Sequence, residues 1–340
     1  MRAYEAWCAA ELQRLRAQGL ERQLREYPGV GGKIRLPARS LLNFSSNDYL
    51  GLARHPEVLA AASAALERWG AGSGASRLLA GHLECHAALE QQLAVYKGYP
   101  AALVFGSGYL ANLGIISALL QRQDWIVVDR LAHASILDAA VMSRAVLRRF
   151  QHNDAMHLDT VLAGKPAAAK GLVVTEAVFS MDGDLAPLAD LAAVAGRHGA
   201  MLLVDEAHAT GIFGAQGAGL VRAAGLEDAV PLAMGTLSKA LGGYGGFVAC
   251  SEPLRHFLIN KARSFIYSTS LPPPVIGAAL GALQHLTTHP DLGALLLARA
   301  AVFRTKLRQA GLDTGASASQ IIPLLVGDNQ KTLQWSQRLR

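Results

Sequence analysis

Six short runs constrain this chain more than any other feature. Residues 102–105, 125–128, 172–175, 201–204, 232–234 and 246–250 are apolar throughout rather than alternating. An alternating strand has one wet face, whereas a strand that is apolar throughout is buried on both. Helix-length segments, such as 111–120 and 188–198, separate most of the runs. The pattern predicts an α/β fold of three layers, with helices on both faces of a mostly parallel sheet. With 51 % hydrophobic and 17 % charged residues among 340, the chain has material for a large core. That excludes a disordered or fibrous protein.

The flanks read differently. Residues 1–26 resemble a charged amphipathic helix ended by Tyr27-Pro28-Gly29, and 30–50 read as irregular or as short paired strands. Leu271-Pro272-Pro273-Pro274 breaks the chain, and a helical stretch over 275–311, a strand-like 320–326 and a helix over 331–340 come after it. We expect an N-terminal helix and arm over 1–45, a large domain over 46–285 and a small partial domain over 286–340. A tail with one strand and one helix is half a layer, so the chain reads as shortened relative to its complete fold.

Charge and cysteine usage narrow the partners. The 32 basic and 26 acidic residues leave a net charge of +6 with no block of like charge. This suits a small anionic ligand and argues against nucleic acid. Cys8, Cys85 and Cys250 are far apart and form no CxxC pair, so neither a disulfide framework nor a cysteine zinc site is expected. The N-terminus lacks the apolar core of a signal peptide, and no stretch reaches 18 apolar residues. The expectation is a cytoplasmic protein without a membrane span.

Ligands of open α/β sheets sit at the carboxyl ends of strands. Three such ends carry chemistry here. After 102–105 come Gly106-Ser107-Gly108-Tyr109 and a helix, and free N–H groups at a helix N-terminus attract an anion such as phosphate. The third glycine of the dinucleotide fingerprint is missing. After 201–204 come Asp205-Glu206-Ala207-His208. A buried strand-end carboxylate needs a cationic partner or a cap. Asp205 and His208 lack further ligands at metal spacing, so no metal is expected there. After 232–234 come Gly235-Thr236-Leu237-Ser238-Lys239 and a glycine-rich turn. Desolvation at such a place makes a lysine amine available as a nucleophile, although a lone lysine more often snorkels to the surface. Together, an anion cradle, a carboxylate and an amine suit pyridoxal 5′-phosphate (PLP), with its phosphate, ring nitrogen and aldehyde.

The motifs resemble a known family. Asp205-Glu206-Ala207-His208 with Gly235-Thr236-Leu237-Ser238-Lys239 is similar to the fold-type I PLP-dependent enzymes. The segments 43–52, 129–135 and 179–184 resemble the α-oxoamine synthases within them, and the match runs from about residue 15 to 340. The segments 266–273 and 321–329 are most similar to the member that condenses L-alanine with a pimeloyl thioester of CoA or acyl carrier protein. Other members, pairing glycine with acetyl-CoA or succinyl-CoA, share the same catalytic residues.

The resemblance implies a role for each matched position. Lys239 would bond the aldehyde and serve as base, and Asp205 would pair with the ring nitrogen. Gly108, Tyr109 and Thr236 would hold the phosphate, and Ser268 and Thr269 would reach the phosphate of a partner subunit in a homodimer. His133 would stack on the ring and meet substrate; Ser180 and His208 would contact the ring oxygen, with Glu176 nearby. Asn47 and Arg22 would face substrate, with Arg25 as the alternative to Arg22. The family's substrate-gripping Arg and Thr of the C-terminal domain fall beyond residue 340. The resemblance therefore implies that cofactor binding survives while turnover is impaired, or that the chain is a PLP-binding protein without turnover.

Overall fold

The computed structural model describes residues 2–36 and 39–340. A two-stranded antiparallel ribbon, β1 (Lys33–Leu36) with β2 (Arg39–Leu42), precedes the main sheet. The main sheet holds β3 (Ala101–Phe105), β4 (Trp125–Asp129), β5 (Val146–Phe150), β6 (Gly171–Glu176), β7 (Ala200–Asp205), β8 (Leu232–Thr236) and β9 (Gly246–Cys250). Their spatial order is β3-β9-β8-β7-β6-β4-β5, and only β9 runs antiparallel to its neighbours. All six apolar runs are strands of this sheet, as their burial on both faces demands.

Alternate strand residues feed different cores. Val127, Val173, Leu202, Val204 and Ala233 pack with Leu158, Leu162, Leu191 and Val194 of the helices Ala155–Ala163 and Leu188–Arg197. Ile126, Val128, Leu172, Val174 and Leu203 pack with Ile115, Ile116 and Ile136 of the helices Gly108–Leu119 and Ala134–Ser143. A third core joins Val104 and Phe247 to Leu89, Leu93, Ile276 and Leu283 of the helices Glu84–Lys97 and Pro273–Thr288. Each fully buried aliphatic side chain contributes about 1.5–3 kcal/mol. Among the described residues no helix is long and apolar enough to cross a membrane.

Four elements differ from expectation. The first helix, Arg2–Ala17, ends well before Tyr27: Gly19 takes φ +66°, and the N–H groups of Gly19 and Leu20 donate to the carbonyls of Arg16 and Leu15. That closes the helix by the usual glycine route. The strand β5 was not among the apolar runs, because it carries Arg148 and Arg149 and pairs on one side only. The stretch 275–311 is two helices, Pro273–Thr288 and Leu292–Gln309, interrupted where Pro290 lacks an N–H. Residues 320–326 form no strand: among the described residues, backbone pairing there amounts to Leu325 donating to Asp313 at 2.9 Å, with no neighbouring strand to build a ladder.

A buried ion pair braces the loop after β7. Lys97 and Glu206, 1 % and 0 % exposed in their side chains, hydrogen-bond each other, and Glu206 Oε1 also accepts from Val221 N at 3.0 Å. Gly219, at φ +111°, passes so close that an added Cβ would meet both Glu206 and Lys97 at 2.5 Å. Removing one partner of a buried pair leaves an uncompensated charge, at a cost of about 3–5 kcal/mol. Lys97→Met is expected to lose that much stability, read as a lower urea midpoint at unchanged m value. A midpoint equal to that of the parent chain would overturn this.

Candidate active site

The sheet's carboxyl edge gathers the sequence-predicted residues. Lys239 comes just after β8, and its Nζ lies 2.6 Å from His208 Nε2. The other ring nitrogen of His208, Nδ1, lies 2.7 Å from the Tyr49 hydroxyl, which also donates to Asn47 Oδ1 at 3.3 Å. His208 is further held by Gln320, whose Nε2 donates to its backbone carbonyl at 2.8 Å. A line therefore runs from Lys239 through His208 and Tyr49 to Asn47 at the exposed mouth.

The acidic pair lies beside it. Glu176 ends β6 and Asp205 ends β7, and the two are direct partners in the parallel register. Asp205 Oδ2 accepts from Asn112 Nδ2 at 2.9 Å, and Oδ1 accepts from Ala207 N at 2.9 Å. Asn112 sits one turn into the helix Gly108–Leu119 and also donates to Ser135 Oγ at 3.0 Å; Ser135 Oγ in turn lies 2.8 Å from His133 Nδ1. Glu176 Oε1 accepts from His133 N at 2.7 Å, and the Ser180 N–H faces the same carboxyl. His133 is thus placed by Glu176.

Protonation is set by burial and charge. Burial first, and Asp205 second, push the Glu176 carboxyl well above the ordinary carboxylate range. Burial lowers the Lys239 ammonium despite the pull of Asp205 and Glu176. Burial first, and the neighbouring Lys239 ammonium second, pull His208 down to about 3, so its imidazole is neutral at neutral pH. A neutral ring beside Lys239 can accept from, or donate to, that amine without competing for charge.

The anion cradle is also assembled. Ser107 caps the helix Gly108–Leu119, its Oγ accepting from Leu110 N, so the N–H groups of Gly108 and Tyr109 have no acceptor within the helix. A Cβ on Gly108 would lie 3.6 Å from Thr236 Cβ, which places the Thr236 hydroxyl at the cradle. A Cβ on Gly246 would meet Ser107 and Gly108 backbone at 2.5–2.6 Å, so only glycine lets β9 close beneath it. Gly108 and Asn112 are separated by about 6 Å of helix axis. Anion donors thus face one end, a carboxylate the other, with the Lys239 amine on the adjoining strand end. This donor set fits a phosphorylated pyridine aldehyde.

Three predicted residues lie apart from this cluster. Ser268 and Thr269 line a small cavity with Gly106, Arg77 and Phe105, and Thr269 bridges to Ser76. Arg22, like Arg25, is exposed on the arm after the first helix. Tyr49, Asn112 and Gln320 are contacts to which the sequence pattern assigns no role. Asn112 carries a signal: it is a buried amide in a mostly apolar helix, Gly108–Leu119. Gln320 carries none, because its partner lies 112 positions away.

Residues 39–340 match the aminotransferase class I and II family. The chain belongs to this family. Its relatives define the branch: the 8-amino-7-oxononanoate synthase of Geobacter sulfurreducens is 50 % identical over 97 % of this chain and 85 % of its own length. That of Anaeromyxobacter dehalogenans is 49 % identical over 98 % and 84 %. The class I and II aminotransferase architecture is equally clear in solved structures. A serine palmitoyltransferase from S. paucimobilis with a bound PLP–myriocin adduct superposes with TM-score 0.91 at 35 % identity, covering 98 % of this chain and 85 % of that one. An 8-amino-7-oxononanoate synthase from Francisella tularensis does so with TM-score 0.78 at 30 % identity, covering 88 % and 85 %. The family expected from the motifs is the family found.

The depressed histidine has a consequence for stability. His208 takes up a proton near 6.5 in the unfolded chain but only near 3 in the fold. Between those values the unfolded state binds more protons, so stability rises with pH and is lost as pH falls below about 6.5. In the protein without added cofactor, His208→Asn is expected to flatten the acid limb of a stability–pH profile between about pH 3 and 6.5. An unchanged slope in that window would show that His208 is not neutral in the fold.

Proposed function

We propose that this chain binds PLP through these residues and condenses L-alanine with a pimeloyl thioester, releasing CO2 and the thiol and forming 8-amino-7-oxononanoate in biotin biosynthesis. The observation that carries this is the Lys239 amine held at 2.6 Å from a neutral His208, within one site that also contains Asp205 and the Gly108–Thr236 cradle. The 50 % identity over nearly the whole chain supports the choice of branch.

Each residue has a task in this reading. Lys239 would hold the aldehyde carbon, Asp205 the ring nitrogen, and Gly108, Tyr109 and Thr236 the phosphate. His133 would cover the ring face, and Ser180 and His208 would meet its hydroxyl. When bound, PLP supplies an electron-withdrawing ring that stabilises negative charge on the amino acid's Cα. Once the amino acid's own amine has taken its place at the aldehyde carbon, the freed Lys239 Nζ, its proton affinity lowered by burial, would take the Cα proton and return one after CO2 has left. His208 Nε2 orients that amine, and Tyr49 fixes the histidine's other nitrogen. His133, at the exposed side of the site, donates to the thioester oxygen as a carbon–carbon bond forms and the carbon–sulfur bond breaks. Asn47 and Arg22 would contact substrate at the mouth.

A homodimer fits the same reading. Leu79 and Tyr267, 81 % and 73 % exposed, flank the Ser76–Thr269 bridge, an apolar face for a second copy. Through that face Ser268 and Thr269 would reach the neighbour's phosphate cradle. The free thiols Cys8, Cys85 and Cys250 support a cytoplasmic setting.

The test is spectroscopic and kinetic. PLP-loaded protein should show a visible band that borohydride bleaches, absent in Lys239→Ala. Turnover of L-alanine with pimeloyl-CoA, or with pimeloyl carrier protein, should fall by about 10²–10⁴-fold in that variant. Equal turnover by the variant would overturn the role of Lys239. Preference for glycine with acetyl-CoA or succinyl-CoA, or for serine with palmitoyl-CoA, would overturn the substrate assignment.

A further inference from the structure

Far from Lys239 in the sequence, two helices bring together a second constellation. His55 immediately precedes the helix Pro56–Trp69, Glu57 lies in its first turn, and His285 lies in the last turn of the helix Pro273–Thr288. The helices approach closely because their contact is glycine-lined. A Cβ on Gly277 would meet Ala61 O at 2.5 Å, and one on Gly281 would meet Ala61 Cβ at 2.8 Å. The backbones that carry the three side chains are therefore held at a set distance.

His285 Nδ1 lies 2.9 Å from Glu57 Oε2, and the rings of His55 and His285 are 4.1 Å apart. One donor atom from each of the three residues falls within 4.8 Å of the other two. His55 Nδ1 is buried and finds no hydrogen-bond partner among the described residues, an arrangement that costs free energy unless something occupies it. His289 stacks on His285 at 4.2 Å but turns its Nδ1 to Thr288 Oγ1, so it stays outside the set. A tetrahedral ion with bonds of about 2.0–2.1 Å separates its donors by about 3.3 Å, which small side-chain rotations reach here.

We propose that His55, Glu57 and His285 bind one divalent cation of the zinc class, two imidazoles and a carboxylate leaving a fourth position for water. Nitrogen donors select such an ion over magnesium and calcium, which take oxygen ligands. The ion would clamp the start of one helix to the end of the other. The spacing of 55, 57 and 285 hides the set from any sequence motif.

PLP-loaded protein titrated with ZnCl2 in a non-chelating buffer should bind one zinc per chain by calorimetry, with an anomalous-scattering peak between these side chains. Glu57→Gln, a change at an exposed position, and His55→Gln should each weaken zinc binding by at least about tenfold, with the visible cofactor band unchanged. Unchanged affinity in both variants would overturn the proposal. So would a zinc peak at His208–Lys239 or Cys8, or no binding to the parent chain.

Discussion

The site depends on one constraint: ionisable groups held at the carboxyl ends of strands that are buried on both faces. Asp205 and Glu176 stand side by side because β6 and β7 are parallel and in register. Lys239 joins them because β8 is the next strand over. Taking these groups partly out of water raises one carboxyl, lowers the amine and keeps His208 neutral. The same burial that stabilises the sheet thus prepares an amine able to bond an aldehyde and move a proton.

Such crowding persists only where the surroundings hold it. The Lys97–Glu206 pair pins the residue next to Asp205, and Gly219 and Gly246 let backbone pass where a side chain would collide. Asn112 links the anion cradle's helix to Asp205 and, through Ser135, to His133. Asp205, Asn112, Ser135 and His133 are therefore tied to one another.

Much of this was legible in the residues. Unbroken apolar runs report burial on both faces, and the residues that come after each run must lie at a strand end. Lys239, Asp205 and Gly108 stand out on that ground, and His133, Ser180 and His208 by their family motifs. The edge strand β5 escaped because Arg148 and Arg149 obey solvent rather than core. Residues 320–326 look like a strand by composition, yet a strand needs a neighbouring strand, and among the described residues none pairs with them. The helix stop at Gly19 was a glycine whose positive φ only the folded backbone displays.

By itself, the amino-acid order determined the layer architecture, the chemical types at the site and the family, because hydrophobic period and short motifs are local properties of the chain. Only the tertiary structure decided which side chains touch. Tyr49 meets His208 across 159 positions, Gln320 meets it across 112, and Glu57 meets His285 across 228. Those pairings arise from how helices and strand ends pack in space, and no local pattern encodes the distance between segments so far apart.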